Sequence, residues 1–156
     1  MITPLYIFDL DGTLALVDHR KHLLRDREDP ECWRQFFAAC INDGPNMPVI
    51  RTMERLRASG ADILVFSGRS DEVRSLTLDW LETYTVVFSR MALHQLLTMR
   101  PAASRTPDDE LKLMWYNALP EYDRNRLVAV FDDRDSVVAM WRKLGVTCFQ
   151  VAPGEF

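Results

Sequence analysis

Two aspartates, Asp9 and Asp11, stand two residues apart directly after the apolar run Leu5-Tyr6-Ile7-Phe8, and Gly12-Thr13-Leu14 follow. Carboxylates at i and i+2 at the end of a strand project in similar directions, and a cation held between them relieves their repulsion. Taken alone, an Asp-x-Asp-Gly segment is also an ordinary exposed turn, so the chemistry depends on what else the chain offers. Ser67-Gly68-Arg69 follows the apolar run Ile63-Leu64-Val65-Phe66, and Asp132-Asp133 follows Leu127 to Phe131. Lys112 comes four residues after Asp108 in a helical stretch, a spacing that puts both side chains on one helix face. Carboxylates for a hard divalent ion, with hydroxyl, ammonium and guanidinium donors, make up a phosphate site with magnesium.

Such groups meet only if the strands that end in them lie side by side. Leu5–Phe8 reads as the first strand, with Gly12 allowing a sharp turn after it. Residues ~15–45 read as a small helical insertion, its helix capped by Asp29 with Pro30 at the first position. Trp33, Phe36 and Phe37 share a face of that helix and read as core packing in preference to a base-stacking platform. Asn42-Asp43-Gly44-Pro45 breaks the insertion, and a helix from Pro48 closes at Gly60. A second strand covers Ala61–Phe66, with Ser67-Gly68-Arg69 as its terminal loop. Ser70 then caps a helix whose Val73, Leu76, Thr77, Trp80 and Leu81 face inward. Short strands are expected at Val86–Phe88 and near Leu96–Met99. Thr106-Pro107-Asp108-Asp109-Glu110 starts a helix, with Thr106 as cap and Leu111, Met114, Trp115 and Ala118 as its buried stripe. Leu127–Phe131 is a strand, a helix runs from Asp135 to Leu144 and closes at Gly145, and Thr147–Val151 is the last strand. Alternating strand and helix predicts an α/β fold with a central parallel sheet covered on both faces, with ligands at the carboxyl ends of its strands.

The 156 residues fit one domain with a full core, and 47% apolar with 27% charged content is that of an ordinary globular protein. No apolar run reaches membrane-spanning length and no signal peptide opens the chain, so a cytoplasmic protein with no membrane partner is expected. Cys32, Cys40 and Cys148 lack a metal-ligand spacing and read as free thiols. His19 and His22, without further ligands nearby, read as solvated or substrate-side groups. The net charge of −4 argues against wide, non-specific nucleic-acid binding but allows a small basic pocket. Neither a Gly-x-x-x-x-Gly-Lys loop nor a Gly-x-Gly-x-x-Gly fingerprint occurs, which removes the usual ATP and dinucleotide sites.

Asp9-Leu10-Asp11-Gly12-Thr13, Ser67, Lys112 and Asp132-Asp133 resemble, in order, the four motifs of the haloacid-dehalogenase (HAD) phosphohydrolases. Phe8–Leu14, Arg20, Ser67-Gly68-Arg69, Arg100, Asp108–Lys112, Asp132-Asp133-Arg134 and the Met140–Ala152 stretch resemble, more narrowly, the 3′-phosphatase domain of the phage T4-type polynucleotide kinase/phosphatases. The chain departs from that pattern in lacking a preceding kinase half and in a different, more aromatic insertion at ~21–45. The resemblance implies a HAD-type, Rossmann-like three-layer fold over 1–156 with a small helical cap, and a magnesium-dependent phosphomonoester hydrolase. Asp9 would be the nucleophile and Asp11 the general acid and base. Magnesium would be held by Asp9, the backbone carbonyl of Asp11, and one or both of Asp132 and Asp133. Ser67 and Lys112 would hold the transferring phosphoryl group, with Asp108 orienting Lys112. Thr13, Gly68 and the arginines Arg20, Arg69 and Arg100 would meet the substrate, with the arginines reading it. The expected partner is a phosphorylated nucleic-acid end or a nucleotide, with the 3′ phosphate of an oligonucleotide favoured.

A 5′-nucleotidase acting on free mononucleotides is the second reading. A receiver-type signalling module is the third, from another class. Receivers place their acidic pair before the acceptor aspartate, whereas Asp132-Asp133 comes last here, and Asp11 has no use in a module that must keep its phosphate.

Overall fold

A computed structural model describes residues 2–154, so both ends of the unit expected over 1–156 lie outside the described residues. Five strands form one parallel sheet in the order β5-β4-β1-β6-β7. β1 (Leu5–Phe8) is central, β4 (Asp62–Ser70) and β5 (Leu97–Arg100) lie on one side of it, and β6 (Leu127–Asp132) and β7 (Cys148–Gln150) on the other. Side chains alternate across a strand, so Phe8 and Ile7 go to opposite layers. Phe8 joins Ile50 and Met53 of α2 (Met47–Ala58), Leu78, Trp80 and Leu81 of α3 (Arg74–Tyr84), and Leu93 and Leu96 of α4 (Arg90–Leu96). Ile7 joins Trp115 and Tyr116 of α5 (Asp108–Ala118) and Val137, Val138 and Trp141 of α7 (Asp135–Lys143). The result is the expected three-layer α/β fold. No helix among the described residues is long and apolar enough to cross a membrane.

The insertion is bracketed by a two-stranded antiparallel pair, β2 (Ala15–Leu16) with β3 (Gly44–Pro45). Between them run a 3-10 helix at Asp18–Leu23, α1 (Pro30–Ala38) and a 3-10 turn at Ala39–Asn42. Asp29 caps α1 by accepting the Glu31 N–H, and Pro30 costs nothing there because the first-turn amide has no helical partner. Phe36 and Phe37 are buried with Val17 in a small core of their own, and Trp33 packs against them half-buried.

Several local expectations are corrected. Val86–Phe88 is no strand; Val86 and Val87 sit in an exposed turn before Ser89 caps α4. Ser67-Gly68-Arg69 is no loop but the end of β4, with an irregular register against β5 between Ser67 and Ser70. In α3 Leu78, and not Leu76, is fully buried. α5 starts one residue later than expected, with Pro107 in the cap position, and Met114 and Ala118 are exposed. Leu111 and Trp115 pack inward as expected, and Tyr116 joins them. The short α6 (Glu121–Asn125) had no counterpart in the sequence reading.

Candidate active site

With β1 between β4 and β6, the strand ends bearing Asp9, Ser67 and Asp132 come together at one edge. After β1 the chain turns within a few residues: Leu10 O accepts the N–H groups of Thr13, Leu14 and Ala15. Gly12 has φ +86, and a Cβ there would collide with the Asp133 carboxylate. Glycine is therefore needed both for the turn and for the close approach of Asp133.

Asp9, Asp132 and Asp133 are buried, and each offers a carboxylate oxygen within 4.8 Å of the others. Lys112, projecting from α5, donates to Asp9 Oδ1 at 2.6 Å and to Asp132 Oδ2 at 2.7 Å. Burial is the main force pushing the Asp9 carboxyl well above the usual range; Lys112 opposes it, and Asp132 and Asp133 add to it. Burial and then Asp132 push Asp133 up to about 7. Burial works against the Lys112 ammonium, but Asp132, Asp9 and Asp108 hold it charged, above its ordinary range. Among the described residues Asp9 Oδ2 is buried without a hydrogen-bond partner, while Lys112 donates to two of the three carboxylates and the Arg134 charge acts on Asp133. An orphaned carboxylate oxygen in an excess of negative charge fits a divalent cation with oxygen ligands.

Asp11 belongs to a second, balanced cluster. Its carboxylate accepts from Arg69 Nη2 and Nε and, at 2.9 Å, from Arg20 Nη2. The other carboxylate there is Asp43, which accepts from Arg20 Nε at 2.6 Å, Arg20 Nη2 at 2.7 Å, Arg69 Nη2 at 2.9 Å and His19 Nε2 at 2.8 Å. Two guanidiniums and two carboxylates close the charge. Burial alone would raise the Asp11 carboxyl, but Arg69 and Arg20 overcome it and hold it below the usual range. Asp43 was read from the sequence only as part of a helix break. Its signal was the surplus of arginines near Asp11, which buried packing must match with a carboxylate.

The three arginines expected to meet the substrate differ in how they are placed. Arg20 is fully buried, outside the cavity wall, and spent on Asp43, Asp11 and the Phe36 carbonyl, with its guanidinium 4.0 Å over the Phe36 ring. Arg69 touches the cavity, but it too is fully buried and also donates to Thr77. Both donate to Asp11. Arg100 donates to Gly68 O, to the Ser104 and Thr106 carbonyls and to Asp108, so it secures the loop ahead of α5. Asp108 pairs with Arg100 and, at 2.8 Å, with Arg134, and its charge also acts on Lys112, which donates to Asp9 and Asp132. Gly68 lies so close to Asp108 that a Cβ would press on its carboxylate. Ser67 is fully buried, its Oγ accepting the Arg69 N–H at 3.2 Å. Thr13 is buried away from the cavity, its carbonyl tied to Asn46 Nδ2. His22 is exposed, whereas His19 is engaged with Asp43.

A cavity of about 620 Å³ opens over Asp9, Asp11, Lys112, Asp132 and Asp133. α1 of the insertion and the loop at 103–107 form its other walls.

This chain is similar to other proteins along nearly its full length. It is 34% identical over 147 residues to a putative bifunctional polynucleotide kinase/RNA ligase of Autographa californica nuclear polyhedrosis virus, covering 92% of this chain and 18% of the relative. A chain of the Pnkp1/Rnl/Hen1 RNA repair complex superposes with a TM-score of 0.76 at 28% identity, over 99% of this chain and 44% of that one. The class C acid phosphatase from Bacillus anthracis shares the fold, with a TM-score of 0.67 at 14% identity, over 98% of this chain and 67% of that one. The chain therefore spans less than half the length of the first two relatives. The family model of the polynucleotide kinase PNKP phosphatase domain matches residues 3–156. With the strand ends, the carboxylate trio and this match in agreement, the chain belongs to that HAD phosphatase-domain family and is a phosphoric monoester hydrolase.

Proposed function

We propose that the domain removes 3′ phosphates from nucleic-acid ends, with magnesium as cofactor and an aspartyl-phosphate on Asp9 as intermediate. The observation that carries the chemistry is the buried trio Asp9, Asp132 and Asp133, in which Asp9 Oδ2 is unpartnered among the described residues and Lys112 donates to Asp9 and Asp132. Magnesium held by that trio supplies charge neutralisation between a carboxylate nucleophile and a phosphate dianion. Asp9 attacks phosphorus, the bond to the leaving ribose oxygen breaks, and Asp11 delivers a proton to that oxygen. Asp11 then takes a proton from water as it attacks the aspartyl-phosphate, which frees phosphate and returns Asp9. Lys112 holds phosphoryl oxygens as charge gathers on them, and Ser67, next in the chain to the cavity-lining Gly68, assists.

The ion pairs of Asp11 bear on the first half of this cycle. With Arg69 and Arg20 on it, Asp11 rests as a carboxylate, the form needed as a base. An arriving phosphate dianion adds negative charge beside Asp11, which raises its proton affinity and suits it to the acid step.

The family match and the names of the two relatives support a nucleic-acid substrate. The roofed cavity and the net charge of −4 favour the second reading, hydrolysis of free mononucleotides. A phosphate-release assay on 3′-phosphorylated oligonucleotides, 3′-mononucleotides and 5′-mononucleotides separates them. Preference for the oligonucleotide is expected; 5′-mononucleotides favoured by more than about tenfold in kcat/KM would establish the nucleotidase.

A further inference from the structure

We propose that Trp33, on the roof helix α1, is the platform on which the base of the terminal nucleotide stacks while its phosphate lies over Asp9. The proposal rests on the reading that the substrate is a nucleotide or a nucleic-acid end. At about 620 Å³, the cavity is of a size that holds an organic ligand of several rings, far more than one phosphoryl group needs. The remaining space must take the leaving group. Three aromatic residues of α1, Trp33, Phe36 and Phe37, line its wall there, with Pro30 and Arg34 of the same helix.

These aromatics are not equivalent. Phe36 is fully buried beneath the Arg20 guanidinium, and Phe37 is 8% exposed. Trp33 alone of the three is half-buried. Its indole N–H, the only polar group of the side chain, is spent on the Arg27 carbonyl at 2.9 Å. What Trp33 brings to the cavity is therefore π surface without a hydrogen-bonding demand. Its orientation is fixed by an edge contact to Phe36 (5.9 Å, 84°) and a tilted one to Phe37 (5.6 Å, 33°). A ring already held in place loses little freedom when a base settles on it. Stacking itself is indifferent to base identity, because every base has a π face. Trp33 thus favours leaving groups that carry a base, whichever base it is.

The test compares two oligonucleotides with a 3′ phosphate, one ending in a normal nucleotide and one ending in an abasic residue, with wild-type protein, Trp33→Phe and Trp33→Leu. Wild type is expected to show a KM about tenfold lower for the base-bearing end, equivalent to about 1.4 kcal/mol. Trp33→Leu, which keeps apolar bulk beside Phe36 and Phe37, is expected to abolish that difference with kcat on the abasic end unchanged. Trp33→Phe is expected to retain most of it. An equal loss on both ends, or a difference that survives Trp33→Leu, would overturn the proposal. If wild type hydrolyses neither oligonucleotide nor any mononucleotide but does release phosphate from non-nucleoside esters, the nucleotide reading fails, and the proposal with it. That outcome is visible in the wild type alone.

Discussion

Asp43→Asn tests the balanced cluster most severely, because the substitution keeps shape and removes only charge. The Asp43 carboxylate is fully buried and takes four hydrogen bonds, three of them from Arg20 and Arg69. In the variant two buried guanidiniums face Asp11 alone, which leaves one positive charge uncompensated. The new amide also turns N–H groups toward donors of Arg20 and Arg69. Removing one partner of a buried ion pair costs about 3–5 kcal/mol, and the preserved volume argues for the lower end, about 3 kcal/mol. Against a total stability of roughly 5–15 kcal/mol that is a large fraction. It corresponds to a fall in Tm of roughly 6–12 °C for a domain of this size. Thermal and denaturant unfolding measure it directly. Adding Arg20→Met to Asp43→Asn restores the charge count, so the double variant is expected to lose less than the sum of the single losses. Activity should fall too, more on a ribose ester than on an activated aryl phosphate, because Asp11 loses its alignment. An Asp43→Asn protein within about 0.5 kcal/mol of wild type, with full activity, would refute this reasoning.

Three other outcomes follow from the site. The Asp133 carboxyl is raised in the folded protein from 3.8 to about 7, so the folded state keeps a proton the unfolded chain has released; that stabilisation is present at low pH and is lost as pH rises through about 7. Metal-free protein should thus lose about 2 kcal/mol between pH 5 and pH 8, and magnesium should raise Tm more at pH 8 than at pH 5, where protons compete for its ligands; a flat profile, or full turnover in excess chelator, would contradict the metal assignment. Asp11→Ala should damage hydrolysis of a ribose phosphate far more than that of a p-nitrophenyl phosphate, whose leaving group needs no proton; equal losses in kcat would count against the acid role. Gly12→Ala forces a Cβ into the Asp133 carboxylate at φ +86, so activity and magnesium-induced stabilisation should both collapse; a variant that binds magnesium like wild type in a thermal-shift titration would show that the approach of Asp133 is not needed.

The strands carrying the site were legible because each is an apolar run that stops at a polar group. Leu5–Phe8 before Asp9 and Leu127–Phe131 before Asp132 are read directly, as is the Asp29-Pro30 start of α1. What failed depends on contacts distant in the chain. Asp43 sits in an Asn-Asp-Gly-Pro segment that any reader takes for a turn. Its use arises only when β3 pairs with β2 and Trp80 of α3 donates to its carbonyl at 2.7 Å. Asp108 and Lys112 share a helix spacing, but the ion pairs of Asp108 with Arg100 and Arg134, and the reach of Lys112 to two buried carboxylates, join residues distant in the chain. Val86–Phe88 has strand-like residues, but three of them cannot outweigh the Ser89 cap that starts α4. The burial of Arg20 and Arg69 beside Asp43 and Asp11 was hidden in the same way, because the partners lie far apart in the chain.

The covalent role of Asp9 is open to one direct measurement. Enzyme turning over a 3′-phosphorylated oligonucleotide with magnesium is quenched in acid and mapped by mass spectrometry, with Asp9→Asn protein treated alongside. The expected result is a phosphoryl group on the peptide containing Asp9 in wild type, none in Asp9→Asn, and no phosphate release by that folded variant. A folded Asp9→Asn protein that releases phosphate at more than about a tenth of the wild-type rate would contradict the assignment of Asp9 as nucleophile.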